Sequence, residues 1–199
     1  MNLELWDQRI ARWMIRPLAN TSVTPNHLTT VRLVVGLAAV AGFTLGDATW
    51  SNWAALGLAF SNFLDHTDGE LARLTGKTTP WGHKYDLFCD GFIHALLFPC
   101  IGYGLRDGGL GVWAVLMGIV AGVSVGAIFW IRYKIEENEG KAAVALPSFA
   151  GFDPEDVLYF LPLVTWFGWL PHFLVLAVAV SPVVAVGIAW VYKKRRVRE

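Results

Sequence analysis

Cysteine is scarce: the 199 residues contain two, Cys89 and Cys100. They stand eleven positions apart in a segment that reads as one helix, where a rise of about 1.5 Å per residue sets them too far apart to pair. Free thiols are therefore expected and a disulfide-stapled fold is excluded. Charge is scarce as well, at 16% of residues against 55% hydrophobic and ten Trp, which is too apolar for a soluble domain of this size. Basic and acidic residues balance at 16 each, so net charge points to no partner. The first fifteen residues have no uninterrupted apolar core, because Glu4, Asp7, Arg9 and Arg12 break it. No cleavable signal peptide is expected.

Long apolar runs fill the space these absences leave. Leu3, Trp6, Ile10, Trp13 and Met14 recur at helical spacing, with Glu4, Asp7, Arg9, Arg12 and Arg16 on the other side. This pattern predicts an amphipathic helix over residues 1–17 lying in a membrane interface. Thr24-Pro25 is a cap-then-proline helix start, and residues 25–46 form a first apolar run of the roughly 20 residues that a bilayer needs. Further runs cover residues 50–74, 82–104, 112–133, 157–169 and 172–192, with a polar connection over 134–152. Gly118, Gly122 and Gly126 make a small-residue stripe suited to close helix packing. The expectation is an all-α integral membrane protein: an interfacial helix at 1–17, a six-helix bundle over 24–192 and a basic tail at 193–199, in one domain.

With six spans, every Lys and Arg except Arg106 falls on one side, together with both termini. The positive-inside rule makes that side cytoplasmic. The terminal Lys193-Lys194-Arg195-Arg196 run is then expected at anionic headgroups, and nucleic acid is not an expected partner.

Four carboxylates interrupt the apolar runs. Asp65 and Asp68 are spaced i, i+3, and Asp86 and Asp90 i, i+4, so on helices each pair projects from one face. If the faces meet, four negative charges converge, which requires cations. An Asp at the centre of a membrane helix costs about 2.5–3.5 kcal/mol on insertion scales. Hard oxygen ligands without a nearby Cys/His set favour Mg²⁺ or Mn²⁺ over Zn²⁺, and two such ions suit an in-line displacement at phosphorus. Gly69 and Ala72 keep one helix face small beside Asp68, so a nucleotide can lie there, and Arg73 can pair with a diphosphate. These residues describe a metal-dependent enzyme acting on a phosphate ester at the membrane surface.

The motif Asp65-x-x-Asp68-Gly69-x-x-Ala72-Arg73, eight residues, Gly82-x-x-x-Asp86-x-x-x-Asp90 resembles the full signature of the CDP-alcohol phosphotransferase (CDP-alcohol phosphatidyltransferase) family. Every motif position matches. The resemblance implies transfer of a phosphoalcohol from a CDP-alcohol to an acceptor hydroxyl with release of CMP. It implies a two-metal site on Asp65, Asp68, Asp86 and Asp90, with Asp90 also the general base. Gly69, Ala72 and Arg73 would contact the CDP group, Gly82 would allow close helix approach, and a homodimer is expected. The expected donor is CDP-diacylglycerol, in phospholipid biosynthesis at a bacterial inner membrane, with the active site facing the cytoplasm. The alternative is a soluble donor: Thr79-Pro80-Trp81-Gly82 faintly resembles the CDP-aminoalcohol branch, and residues 23–29 faintly resemble members using CDP-inositol.

The remaining polar residues carry weaker readings. His94 shares the face of Asp90 and reads as structural, with a hydrogen bond to a carboxylate as the alternative. His66 and His83 occupy variable motif positions. Cys89 points away from the Asp86/Asp90 face. Arg132 and Lys134 suit either a phosphate on the acceptor or positive-inside anchoring, and Lys141 is weaker still. A prenyltransferase would place its Asp motifs far apart in sequence. A cation carrier would spread its acids at matching depth across helices and commonly shows internal repeats, which are not apparent here.

Overall fold

The computed structural model describes residues 13–140 and 158–196, and every regular element in them is helical. A short 3-10 segment, Arg16–Asn20, precedes α1 (Pro25–Gly42), which closes in a 3-10 turn at Phe43–Leu45. Next come α2 (Ala48–Thr75), α3 (Pro80–Gly104), α4 (Trp113–Glu139), α5 (Leu161–Trp166) and α6 (Leu170–Arg196). Of the expected interfacial helix only its end lies within the described residues, with Trp13 and Met14 exposed and Ile15 buried.

Local sequence sets the boundaries. At α1 Pro25 occupies the first turn, and His27 Nδ1 accepts the Thr24 backbone N–H at 3.3 Å, as in a capping box. Asp47 caps α2 by accepting from the Thr49 and Trp50 N–H groups at 2.8 and 3.1 Å. Thr79 caps α3 by accepting from the Gly82 N–H at 2.9 Å. These caps start α2 and α3 about two residues before the apolar runs do. Gly76 ends α2 at φ +66°, a left-handed conformation that glycine adopts without a Cβ clash.

The largest departure from the expected boundaries is at the end of α4, which continues through Glu139, whereas the polar connection was expected from residue 134. Ion pairs and hydrogen bonds between helical neighbours hold the extra turns: Lys134 donates to Glu137 at 2.8 Å, and so does Tyr133 at 3.1 Å. Residues 141–157, including Lys141 and the rest of that connection, lie outside the described residues.

Among the described residues, four helical segments are long and apolar enough to cross a membrane: Pro25–Leu45, Pro80–Gly104, Trp113–Glu139 and Leu170–Arg195. The 28-residue α2 has the length, but Asp65, Asp68, Glu70 and Arg73 interrupt its apolar character. The described part of the fifth run, residues 158–169, contains the six-residue α5, about 9 Å long.

The core joins α1, α2 and α3 through Ala39, Val40, Phe43, Ala54, Ala55, Leu58, Ile93, Leu97 and Ile101, closed by Leu161 and Leu174 from α5 and α6. The α4 glycine stripe turns inward. A Cβ on Gly118 would strike the Phe98 carbonyl, and one on Gly122 the Ala95 carbonyl and the Pro99 ring. Pro99 has no N–H to offer Ala95, and its ring sits where the two helices cross. Packing within the subunit thus accounts for Gly118 and Gly122.

Candidate active site

Arg32, two turns into α1, reaches into the space between α2 and α3 and is 2% exposed. The α2 carboxylates Asp65 and Asp68 and the α3 carboxylates Asp86 and Asp90 converge around it, as their helical spacing requires. Arg32 Nη1 lies 2.5 Å from Asp65 Oδ1 and 2.8 Å from Asp86 Oδ1, while Nη2 pairs with Asp90 Oδ1. Asp68 accepts a hydrogen bond from Thr29 Oγ1, one turn before Arg32, at 2.6 Å. The first helix therefore supplies a cation and a hydroxyl to acids from the next two. Ser61 Oγ donates to the Arg32 backbone carbonyl at 3.0 Å and ties α2 to the same turn.

Asp65, Asp68 and Asp86 each offer a carboxylate oxygen within 4.8 Å of the others, close enough to share one metal ion. The donor set is all carboxylate, which suits a hard divalent cation. Asp90 belongs to the same cluster through Arg32.

A cavity of about 340 Å³ opens beside the acids, lined by Asn26 and Thr29 of α1, Asp68, Gly69, Ala72 and Arg73 of α2, and Gly82, His83 and Asp86 of α3, among others. All four residues expected at the nucleotide thus line one cavity with two of the acids. A Cβ on Gly69 would meet nothing within 4 Å, so this glycine leaves an open floor. A Cβ on Gly82 would lie 2.7 Å from Asn26 Oδ1, so Gly82 lets α3 approach the start of α1. Arg73 is 64% exposed at the cavity and pairs with Glu70, which is buried; its guanidinium is held at the mouth by a neighbour one turn back.

The other candidates make their side-chain contacts outside the carboxylate group. His94 Nδ1 meets the Asp90 backbone carbonyl at 2.8 Å, and its ring packs 5.2 Å from that of Phe129. The His66 ring stands 6.5 Å from that of Tyr159. His83 Nε2 lies 2.6 Å from Glu136 Oε1 and links the cavity wall to the extended end of α4. Cys89 is fully buried, as packing requires. Lys134 pairs with Glu137 and stands over the Trp130 and Tyr133 rings.

Sequence reasoning missed Arg32, Thr29 and Asn26 as members of the site. Each lies in the first eight residues of α1, where polar side chains looked like the ordinary start of a membrane helix. The available clue was spacing: Asn26, Thr29 and Arg32 recur at i, i+3, i+6 and so share a face.

A family model of CDP-alcohol phosphatidyltransferases matches residues 22–190. An archaetidylinositol phosphate synthase of Pyrococcus horikoshii is 37% identical over 100 residues; the match spans half of each chain, so this chain covers about half the length of that curated relative. Two crystal structures of the phosphatidylinositol phosphate synthase PgsA1 of Mycobacterium tuberculosis share the fold. The one with CDP-DAG bound has a TM-score of 0.69 at 21% identity, covering 94% of this chain and 93% of that one. The one in complex with manganese and citrate has a TM-score of 0.64 at 19% identity, covering 92% and 88%. With the family model running through α1–α6 and across the acid cluster, this chain belongs to the CDP-alcohol phosphatidyltransferase family.

Proposed function

We propose that the protein transfers a phosphatidyl group from CDP-diacylglycerol to the hydroxyl of a small acceptor, releasing CMP, as a step of phospholipid synthesis. The observation that carries this reading is the single cavity shared by Gly69, Ala72, Arg73 and Gly82 with Asp68 and Asp86. The family membership supports it, and so does the fold shared with a synthase that was crystallised with CDP-DAG. The names of both relatives favour a phosphorylated inositol as acceptor.

In this reading the CDP group lies over Gly69 and Ala72, with its diphosphate toward Arg73 at the mouth. The acceptor oxygen forms a new bond to the lipid-bearing phosphorus, and the bond from that phosphorus to CMP breaks, CMP taking the electron pair. Asp90 receives the acceptor proton. Asp65, Asp68 and Asp86 hold Mg²⁺ or Mn²⁺, and Asp90 joins them in the two-metal arrangement that the resemblance implies. When bound, divalent cations supply charge neutralisation at the phosphate oxygens. Thr29 orients Asp68, and the packed α1–α2–α3 core fixes the acids relative to one another.

The remaining finer points belong to the same proposal: six spans, an interfacial helix over 1–17, a homodimer and a bacterial inner membrane with the site on the cytoplasmic side. The ends of α2, α4 and α6 and the starts of α1 and α3 lie at one end of the bundle, linked by the Thr29–Asp68 and Thr30–Tyr85 hydrogen bonds at 2.6 and 3.1 Å and by the Lys84–Glu137 and Arg195–Glu139 pairs at 3.4 and 2.7 Å. That end holds the described basic residues apart from Arg106, in agreement with a cytoplasmic placement.

The test is CMP release by purified protein in detergent with Mg²⁺ or Mn²⁺. CDP-diacylglycerol would be offered with inositol phosphate, glycerol phosphate, inositol or serine, and CDP-inositol and a CDP-aminoalcohol would be offered as soluble donors. Release with CDP-diacylglycerol and one acceptor supports the proposal. Release only with a soluble donor assigns the alternative branch, and no release with any donor removes the enzymatic reading.

A further inference from the structure

We propose that Arg32 is a built-in counter-cation of the acid cluster that competes with divalent metal for the same carboxylate oxygens. The inference rests on the reading of Asp65, Asp68 and Asp86 as a metal site and adds a residue that the motif does not contain. Arg32 Nη1 contacts Oδ1 of both Asp65 and Asp86, two of the three acids whose oxygens gather within 4.8 Å. Its Nη2 pairs with Asp90. One guanidinium thus bridges three carboxylates from two helices, using the fork geometry that distinguishes Arg from Lys.

Asp68 and Asp86 line the cavity, and Asp65 and Asp90 join them through the Arg32 guanidinium. A cation held by Asp65, Asp68 and Asp86 must share Asp65 and Asp86 with the guanidinium. Arg32 is 2% exposed, so water screens its charge little. The group is not locked from every side: its Nε is buried without a hydrogen-bond partner, so only the Nη atoms anchor it. Four acids converging from two helices repel one another, and a fixed +1 among them lets the bundle close before any metal arrives. The same charge weakens metal binding by repulsion and by occupying ligand oxygens.

The experiment measures Mn²⁺ binding to the full-length protein in detergent by electron paramagnetic resonance of free Mn²⁺, with thermal unfolding recorded with and without Mn²⁺. Arg32→Gln removes the charge and Arg32→Lys keeps it as a point charge that cannot bridge Asp86 and Asp90 together. The expected order of affinity is Arg32→Gln above Arg32→Lys above wild type, with Arg32→Gln tighter by about tenfold or more, as removal of a nearby unit charge implies. Without metal the Gln variant unfolds at lower temperature than wild type, and Mn²⁺ raises its midpoint by more. Should Arg32→Gln not fold, the Lys variant alone decides, with an expected tightening of about threefold from the same loss of contacts. Unchanged or weaker Mn²⁺ binding in the variant measured overturns the competition while leaving the metal site standing. Absence of Mn²⁺ binding to wild type and to every folded variant overturns both.

Discussion

The two ends of the α1–α3 bundle are built on opposite principles. At one end α1, α2 and α3 are held apart by side chains and together by charge: Arg32, Thr29 and the four Asp fill the space between helices. At the other end the backbones nearly touch. A Cβ on Gly46, itself at φ +70°, would lie 2.5 Å from the Gly104 carbonyl, and one on Gly104 would strike the Phe43 carbonyl. Gly102, Gly118 and Gly122 repeat this closeness between α3 and α4. Close packing resists deformation, so the glycine end acts as a clamp that fixes where the helices diverge. The acid end is left as the place where a ligand can enter.

The contrast predicts that, Arg32 with its counter-charge apart, changes at the acid end act on turnover far more than on folding. Asp90→Asn is expected to lower kcat by about 10²–10⁴, the usual worth of a positioned general base, while nucleotide binding stays measurable. A variant with normal kcat would remove Asp90 from the role of base. The converse holds at the clamp. Gly122→Val drives a branched side chain into the Ala95 carbonyl and the Pro99 ring and is expected to destabilise by about 1–3 kcal/mol, as overpacking does. Thermal unfolding in detergent reads this directly, and an unchanged midpoint would show that the two helices can part there.

Legibility in the sequence divides along the same line. The meeting of the four acids, and of Gly69, Ala72, Arg73 and Gly82 at one cavity, was readable because helical spacing fixes a face. Most helix boundaries were readable from apolar runs to within a few residues, and the caps at Asp47 and Thr79 explain the early starts of α2 and α3. The extension of α4 was not, because the pairs of Lys134 and Tyr133 with Glu137 look, as sequence, like any polar loop. Nor was Arg32. A single arginine near a helix start has a sufficient explanation in the positive-inside rule, and only the tertiary meeting of three helices gives it three acidic partners. The glycine stripe was read as a packing element, but which helix it packed on depended on Pro99 and the Phe98 carbonyl in α3.

A smaller effect is expected from Thr29→Val, which keeps shape and removes the hydroxyl that donates to Asp68. The loss of a hydrogen bond to a charged group costs about 1.5–3 kcal/mol at most. Asp68 nevertheless keeps its place in the packed helix, so the expected result is a few-fold weaker Mn²⁺ affinity with little change in unfolding temperature. If Thr29→Val instead unfolded the protein, the acid end would be contributing to the clamp, and the separation of the two ends would fail.

The weakest expected effect probes the border of the site. His83 in α3 and Glu136 in the extended turn of α4 lie 2.6 Å apart, with His83 34% and Glu136 13% exposed. The pair joins the cavity wall to the polar end of α4. Partly exposed pairs of this kind contribute about 0–1 kcal/mol, so neither His83→Ala nor Glu136→Gln should disturb folding appreciably. What they should change is the cavity mouth: a modest rise in KM for the CDP donor, with kcat nearly constant, is the signature of a group that shapes binding without entering the chemistry. The double variant tests whether the two act through each other. If His83 serves only by holding α4, the combined rise in KM equals that of either single change; if the effects multiply, His83 touches the donor itself.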